Sequence, residues 1–159
     1  MQRSITVNCP VEEVYAFWRN FQHFPRLMDH VTSVESTGPT RTHWKASLST
    51  ALNFEWDTDL IEDRPNEAIA WRSVDGASMQ NTGSVHFKPA PGDRGVEVTL
   101  SLDINPPGGV LGDAVAMLAG AGPESLASKA LYRFKTLIET GEIPTEKPQP
   151  AGRNNGRDE

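Results

Sequence analysis

Four histidines are the side chains of this 159-residue chain best suited to move protons near neutral pH. His43 and His86 fall on the polar side of strictly alternating stretches, while His23 and His30 lie in and just after a helical one. No histidine shares a ligand spacing with another or with Cys9, the lone cysteine, so no metal site is predicted. Asp57-Thr58-Asp59 stands alone in mid-strand, and Gly76 to Gln80 lacks the second glycine of a nucleophile elbow. Gly108, Gly109 and Gly112 do not fit a dinucleotide fingerprint. No catalytic residue and no cofactor follow from these patterns. Arg72, between Trp71 and Ser73, is the charge of most interest. A bulge would let its guanidinium reach the polar head of a ligand; regular alternation would point it to solvent, beside a carboxylate such as Asp57 or Asp59. Thr58 and Ser73 are polar residues on the apolar side of their strands, placed to hydrogen-bond a ligand carbonyl or a buried water.

These residues are positioned by a long run of period-two patterning. Residues 31–37, 41–49, 53–62, 68–73, 83–88 and 96–104 alternate apolar and polar positions, with turn signals such as Gly38-Pro39, Asp75-Gly76 and Pro91-Gly92-Asp93 between them. The short links predict a six-strand antiparallel meander with one dry and one wet face. Glu55, Asp57 and Asp59 share the wet face with His43 and Lys45, where cross-strand pairing accounts for them. Residues 2–8 form a further short strand. Cys9-Pro10 then opens a helix with Val11, Val14, Tyr15 and Trp18 along one side. Residues 20–30 form a shorter helical stretch interrupted by Pro25, with Phe21, Phe24, Leu27 and Met28 to bury. Helical spacing returns over residues 110–118 and breaks at Gly120-Ala121-Gly122-Pro123. It resumes with a stripe of Leu126, Ala130, Phe134, Leu137 and Ile138 up to a C-cap at Gly141. Residues 145–159 are almost devoid of apolar side chains, which predicts a disordered tail behind a single domain of residues 1–144.

A sheet with one apolar face needs a cover, and the last helix is the only large apolar one available. Trp44, Trp56, Trp71, Phe54 and Phe87 all fall on the dry face. Either these rings pack against one another, or they leave an apolar cavity between sheet and helix with the Phe21 to Met28 stretch at its mouth. A net charge of −6 offers no general attraction to nucleic acid or anionic lipid. No stretch has the roughly 18 apolar residues of a membrane span. The N-terminus carries no apolar signal segment, so the reading is a cytoplasmic protein without stable membrane insertion.

Several short matches occur in order: Phe24-Pro25 with Met28 and His30-Val31, Trp44, Trp56 with Asp63-Arg64-Pro65, and Ile69-Ala70-Trp71-Arg72-Ser73. Gly83-Ser84-Val85-His86-Phe87, Pro106-Pro107-Gly108-Gly109 and Arg133-Phe134-Lys135 follow. Over residues 3–145 the chain resembles the START-like (SRPBCC) superfamily, in its bacterial polyketide cyclase/dehydrase and coenzyme-Q-binding-like branch. The resemblance implies an α+β helix-grip (START/Bet v 1-like) fold, an antiparallel sheet wrapped around a long C-terminal helix. It also implies a hydrophobic cavity for a lipid, quinone or polyketide-like molecule. The residues expected to touch such a ligand are Met28, Trp44, Trp56, Thr58, Trp71, Arg72, Phe87 and Leu118. The alternative is a cyclase or dehydratase using the same cavity, with Arg72, Glu62 or a histidine to move the proton. A protein partner is a third reading, which an exposed apolar patch near residues 110–118 would favour and a uniformly polar exterior would not.

Overall fold

The computed structural model describes residues 2–47, 53–77, 79–105 and 123–140. The expected helical segment at 110–118 with Leu118, the C-cap at Gly141 and the tail from residue 145 lie outside the described residues. Seven strands make one antiparallel sheet: β1 (Gln2–Val7), β2 (Val31–Ser36), β3 (Arg41–Ser47), β4 (Asn53–Arg64), β5 (Ala68–Ser73), β6 (Gln80–Pro89) and β7 (Val96–Asn105). Their spatial order is β1-β7-β6-β5-β4-β3-β2, so β2 to β7 are the meander that short links require. The first strand closes on the last, with Gln2 opposite Ser101 and Val7 opposite Val96.

Alternation sorts the side chains. Along β3, Thr42, Trp44 and Ala46 are buried while Arg41 and Lys45 are exposed; along β4, Phe54, Trp56 and Thr58 are buried. The period is broken once on β4, where the register shifts between Leu60 and Glu62 and the extra residue, Ile61, is left 52% exposed.

Helix α1 (Val11–Arg19) starts directly after Pro10, which stands at its N-cap in extended conformation, and Glu12 and Glu13 occupy the first turn. It buries Val14 and Trp18. A single 3-10 turn (Phe21–His23) runs into the short α2 (Phe24–Leu27), with Pro25 tolerated in its first turn. Helix α3 (Pro123–Thr140) buries Leu126, Ala127, Ala130, Leu131, Phe134 and Leu137, and it packs chiefly on β1 and β7. That leaves the middle of the concave face to be covered by the Phe21 and Phe24 rings. Phe21 lies 5.3 Å from Trp71, and Phe24 lies 5.1 Å from Trp44 and 5.4 Å from Trp71 between ring centroids. The stretch expected at a cavity mouth is therefore largely part of the core.

Strand β6 begins at Gln80, three residues before the alternation at 83–88 becomes apolar, because its inward positions there are Asn81 and Gly83. Gly83 is opposite Trp71, and the indole lies flat across it: a Cβ at Gly83 would fall 2.2 Å from Trp71 Cζ2. Trp71 is 1% exposed and held by Phe21 and Phe24, so it has nowhere to go. Gly83→Ala is therefore expected to cost about 1–3 kcal/mol through overpacking. Urea unfolding measures this, and a change within about 0.5 kcal/mol, as at an ordinary surface site, would show that the indole is not seated as described.

Candidate functional site

Met28 to Val31 lead from α2 into β2, and three of these residues, Met28, His30 and Val31, form one wall of a small internal cavity. Trp44 and Ala46 of β3, Trp56 of β4, Trp71 of β5, Met79 just before β6, Asn81 within it, and Leu102 and Ile104 of β7 form the concave wall. Leu126, in the first turns of α3, completes the lining. The space between them is about 20 Å³, room for one water molecule. Trp44 and Trp56 are neighbours in register on adjacent strands, and their rings lie 5.9 Å apart at 18° between planes.

A polar row crosses the same concave face. Thr42, Thr58, Ser73 and Asn81 are the buried polar residues among those described, and they fall on four adjacent strands, β3 to β6. Thr58 is opposite both Thr42 and Ser73, and the Asn81 backbone N–H donates to Ser73 Oγ at 3.1 Å. Trp44 Nε1 donates to Thr58 Oγ1 at 2.9 Å. Three of the lining residues carry a buried polar atom with no partner among the described residues: Trp56 Nε1, Trp71 Nε1 and Asn81 Oδ1. Trp18 Nε1, away from the cavity, is likewise without a partner among them.

The strap of residues 28–31 is tied at both ends. Arg133 of α3 donates to Asp29 Oδ1 at 2.7 Å and to the Leu27 carbonyl at 3.4 Å. The Arg133 hydrogen bond holds the Asp29 carboxyl below its ordinary pKa. His30 Nδ1 lies 3.3 Å from the Ser47 carbonyl, and Ser47 N–H donates back to the His30 carbonyl at 2.9 Å. His30 is the only ionisable side chain lining the cavity among the described residues.

Of the residues expected to touch a ligand, Met28, Trp44, Trp56 and Trp71 line this cavity. Thr58 does not line it; it stands behind Trp44 and is the acceptor for that indole. Arg72 lies apart from the cavity. It is exposed on the convex side, opposite Asp59, because the bulge lies in β4 and leaves the alternation of β5 intact. Phe87 also lies apart from it. It shares the inward face with Asn81 but sits six residues further along β6, about 20 Å away at strand rise. There it meets Tyr15 edge-on at 6.3 Å and borders an open hollow of about 510 Å³ that also includes Cys9, Val11 and Val96. Leu118 lies outside the described residues. Asn81, Met79, Leu102, Ile104 and Leu126 were not anticipated as lining residues. Carrying the alternation of β6 backward from Phe87 through Val85 and Gly83 would have reached Asn81 and Met79.

The other candidates serve the outer surface. Glu62 accepts from Arg64 Nε at 2.8 Å, and His23 is stacked on Phe17 at 4.1 Å, its pKa lowered by burial and then by Arg26. His43 sits between two carboxylates, with Nδ1 2.7 Å from Asp57 Oδ1 and Nε2 2.9 Å from Glu55 Oε1. Among the described residues no group of three or more His, Cys, Asp or Glu is placed to hold a metal ion. None of the described helices is long and apolar enough to cross a membrane.

A curled antiparallel sheet closed by a C-terminal helix, with an indole-lined space between them, defines the helix-grip class. The chain matches the family described as polyketide cyclase / dehydrase and lipid transport over residues 7–135, and it belongs to that START-like family. It is 33% identical over 142 residues to an uncharacterized 17.2 kDa protein of Streptomyces lincolnensis, covering 87% of this chain and 89% of that one. A crystal structure of a Deinococcus radiodurans protein is similar at 34% identity and a TM-score of 0.73, over 89% of this chain and 98% of the other. A START superfamily protein from Mycobacterium smegmatis shares the fold at 15% identity and a TM-score of 0.65, covering 89% and 98% of the two chains.

Two outcomes follow. Thr58→Val keeps the shape but strands Trp44 Nε1 in the core, at an expected cost of about 1–3 kcal/mol in chemical unfolding; no loss would mean the bond is not formed. The hydrogen bonds to Asp57 and Glu55 raise the His43 pKa above 6.5. The stabilisation from this pairing is then fully present below about pH 6.5 and disappears as the pH climbs through the raised value. His43→Gln should lose more stability relative to wild type near pH 5.5 than near pH 9, and equal losses at both would contradict the pairing.

Proposed function

We propose that this protein binds a small hydrophobic molecule (a lipid, quinone or polyketide-like compound) between the concave face and α3. The observation that carries this reading is the composition of the cavity wall. Trp44, Trp56 and Trp71 are joined by Met28 and Met79 around a space that is almost wholly apolar. Rigid rings beside flexible thioethers give an apolar guest a surface that can adapt to its shape. The family description, which includes lipid transport, points the same way.

The space of about 20 Å³ has to widen before anything larger than water is admitted. Methionines at positions 28 and 79 are the side chains most able to do so, being unbranched and polarizable. Burial at ~25 cal/mol per Å² of apolar surface supplies the affinity, less the costs of displacing the methionines and immobilising the ligand. The acidic surface, with a net charge of −6, argues against a nucleic acid partner.

A second reading, turnover of a polyketide-like substrate, rests on His30, the one ionisable lining residue among those described. Under that reading His30→Gln abolishes product formation but leaves ligand affinity within a few fold.

The binding reading is tested with naphthalene-type probes and intrinsic tryptophan fluorescence. Ala46 faces the cavity with 3% exposure, so Ala46→Leu fills the space from a rigid strand. Quenching in the wild type is expected to weaken by about tenfold or more in the variant, equivalent to about 1.4 kcal/mol. A melting curve on the same sample verifies folding. Probe binding that ignores Ala46→Leu, or no binding of any apolar probe, overturns the assignment.

A further inference from the structure

Ile61 and Tyr132 are the large apolar side chains left exposed among the described residues. The bulge in β4 turns Ile61 outward, where it borders an open hollow of about 410 Å³ on the convex face. Arg41, Asp59, Arg72, Val74 and Asp75 lie around the same hollow. Arg41 occupies both oxygens of Asp59, with Nε and Nη2 each at 2.9 Å. Arg72, opposite Asp59 on the next strand, makes no hydrogen bond or ion pair among the described residues. Asp75 stands in the turn after β5, which is fixed by Gly76 at φ +83° and by the Ala77 N–H on the Val74 carbonyl at 3.1 Å. Its carboxylate is likewise without a partner among the described residues. We propose that this patch is an interface between two copies of the chain, with Arg72 of each copy on the partner's Asp75 and Ile61 buried between the pairs.

Two copies with a net charge of −6 repel one another over most of their surface. Around this hollow the charges cancel, two arginines against two aspartates. One of each sign is paired within the copy, and the other two are exposed. A uniformly acidic partner would be repelled by Asp75, and a uniformly basic one by Arg72. A patch with one free charge of each sign is matched by the same patch turned through 180°. Within one copy Arg72 and Asp75 do not meet, being three residues apart, about 10 Å at strand rise. A two-fold axis beside Ile61 supplies both pairs from a single contact. Exposed ion pairs contribute little alone, so the aliphatic side chains of Ile61 and Val74 have to exclude water from them. The patch is on the face of the sheet opposite the cavity, and the proposal does not depend on what the cavity holds.

Sedimentation equilibrium at pH 7 in about 0.15 M salt measures the association. As the concentration is raised to about 200 µM, the average mass is expected to climb from the 17.4 kDa of one chain toward twice that value. Arg72→Asp and Asp75→Arg should each weaken the dimer by about tenfold or more, because each sets like charges face to face at both pairs. The double variant Arg72→Asp/Asp75→Arg restores opposite charges across the axis, and its affinity should return to within about threefold of wild type. Ile61→Ser should also weaken the dimer by about tenfold, with no change in charge. All three side chains are exposed, and a melting curve on each sample verifies that the variant is folded. A wild type that stays at the mass of one chain throughout overturns the proposal. So does a dimer that Arg72→Asp and Ile61→Ser both leave unchanged, since the contact is then elsewhere. A double variant no tighter than the two single ones removes the Arg72–Asp75 pairing.

Discussion

The contact on which the rest depends is the indole of Trp71 laid across Gly83. It uses the one position on β6 where the missing Cβ lets a ring approach the backbone of the neighbouring strand. The ring thereby lies low on the sheet, and Phe21 and Phe24 reach down to it from the 3-10 turn and α2. Phe24 in turn touches Trp18 of α1, and Trp18 touches Phe134 of α3, at centroid separations of 5.8 and 5.0 Å. One chain of rings thus joins the middle of the sheet to all three helices. Each ring contact adds about 0.5–1.5 kcal/mol beyond the area it buries. Their geometric effect matters as much, because they set how closely the cover approaches the sheet.

That spacing explains why the cavity is small and where it lies. The aromatic chain fills the centre of the concave face, and α3 lies to one side on β1 and β7. The cavity lies beyond Trp71 and Trp44, toward Met79, Asn81 and the first turns of α3. Rigid rings bound it on the sheet side and flexible thioethers lie among them. A wall of this kind resists general collapse but can yield at two defined places. The strap of residues 28–31 carries one of those methionines, and the Asp29–Arg133 ion pair ties it to α3. The position of the strap and that of α3 are linked through that pair.

Much of the architecture was legible because alternation is a direct imprint of a half-buried strand. Trp44, Trp56 and Trp71 could be assigned to the inward face without any coordinates, and the C-terminal stripe of Leu126, Ala130 and Phe134 identified the cover. Parity, however, gives the face and not the position along the strand. Phe87 shares its face with Asn81 yet belongs to the opposite end, beside Tyr15 and Cys9. Arg72 depended on where a bulge would fall, and the bulge at Ile61 is one strand away. Thr58 was correctly seen as an inward polar residue, but its partner, the Trp44 indole, is set by side-chain orientation, which pattern does not encode. Asn81 escaped notice because a polar residue and a glycine at successive inward positions look like the end of a strand. They are in fact the part of it that leaves room for the Trp71 ring and borders the cavity.

The two faces of the sheet divide the work. On the convex side Arg41 clasps Asp59 with two 2.9 Å bonds, and His43 bridges Asp57 and Glu55. These are exposed pairs, individually weak and screened by salt, but they repeat across β3 and β4 and favour one register. With register held from outside, the concave face does not need every inward residue to be apolar. It can place Thr42, Thr58, Ser73 and Asn81 in a row across four strands, at positions where a slip by one residue would turn them to solvent. Most of that row is satisfied internally, by the Trp44 indole and the Asn81 backbone. Its end at Asn81 is not, and there the row meets the cavity. A slip of register would therefore cost the concave face these polar bonds as well as its apolar packing.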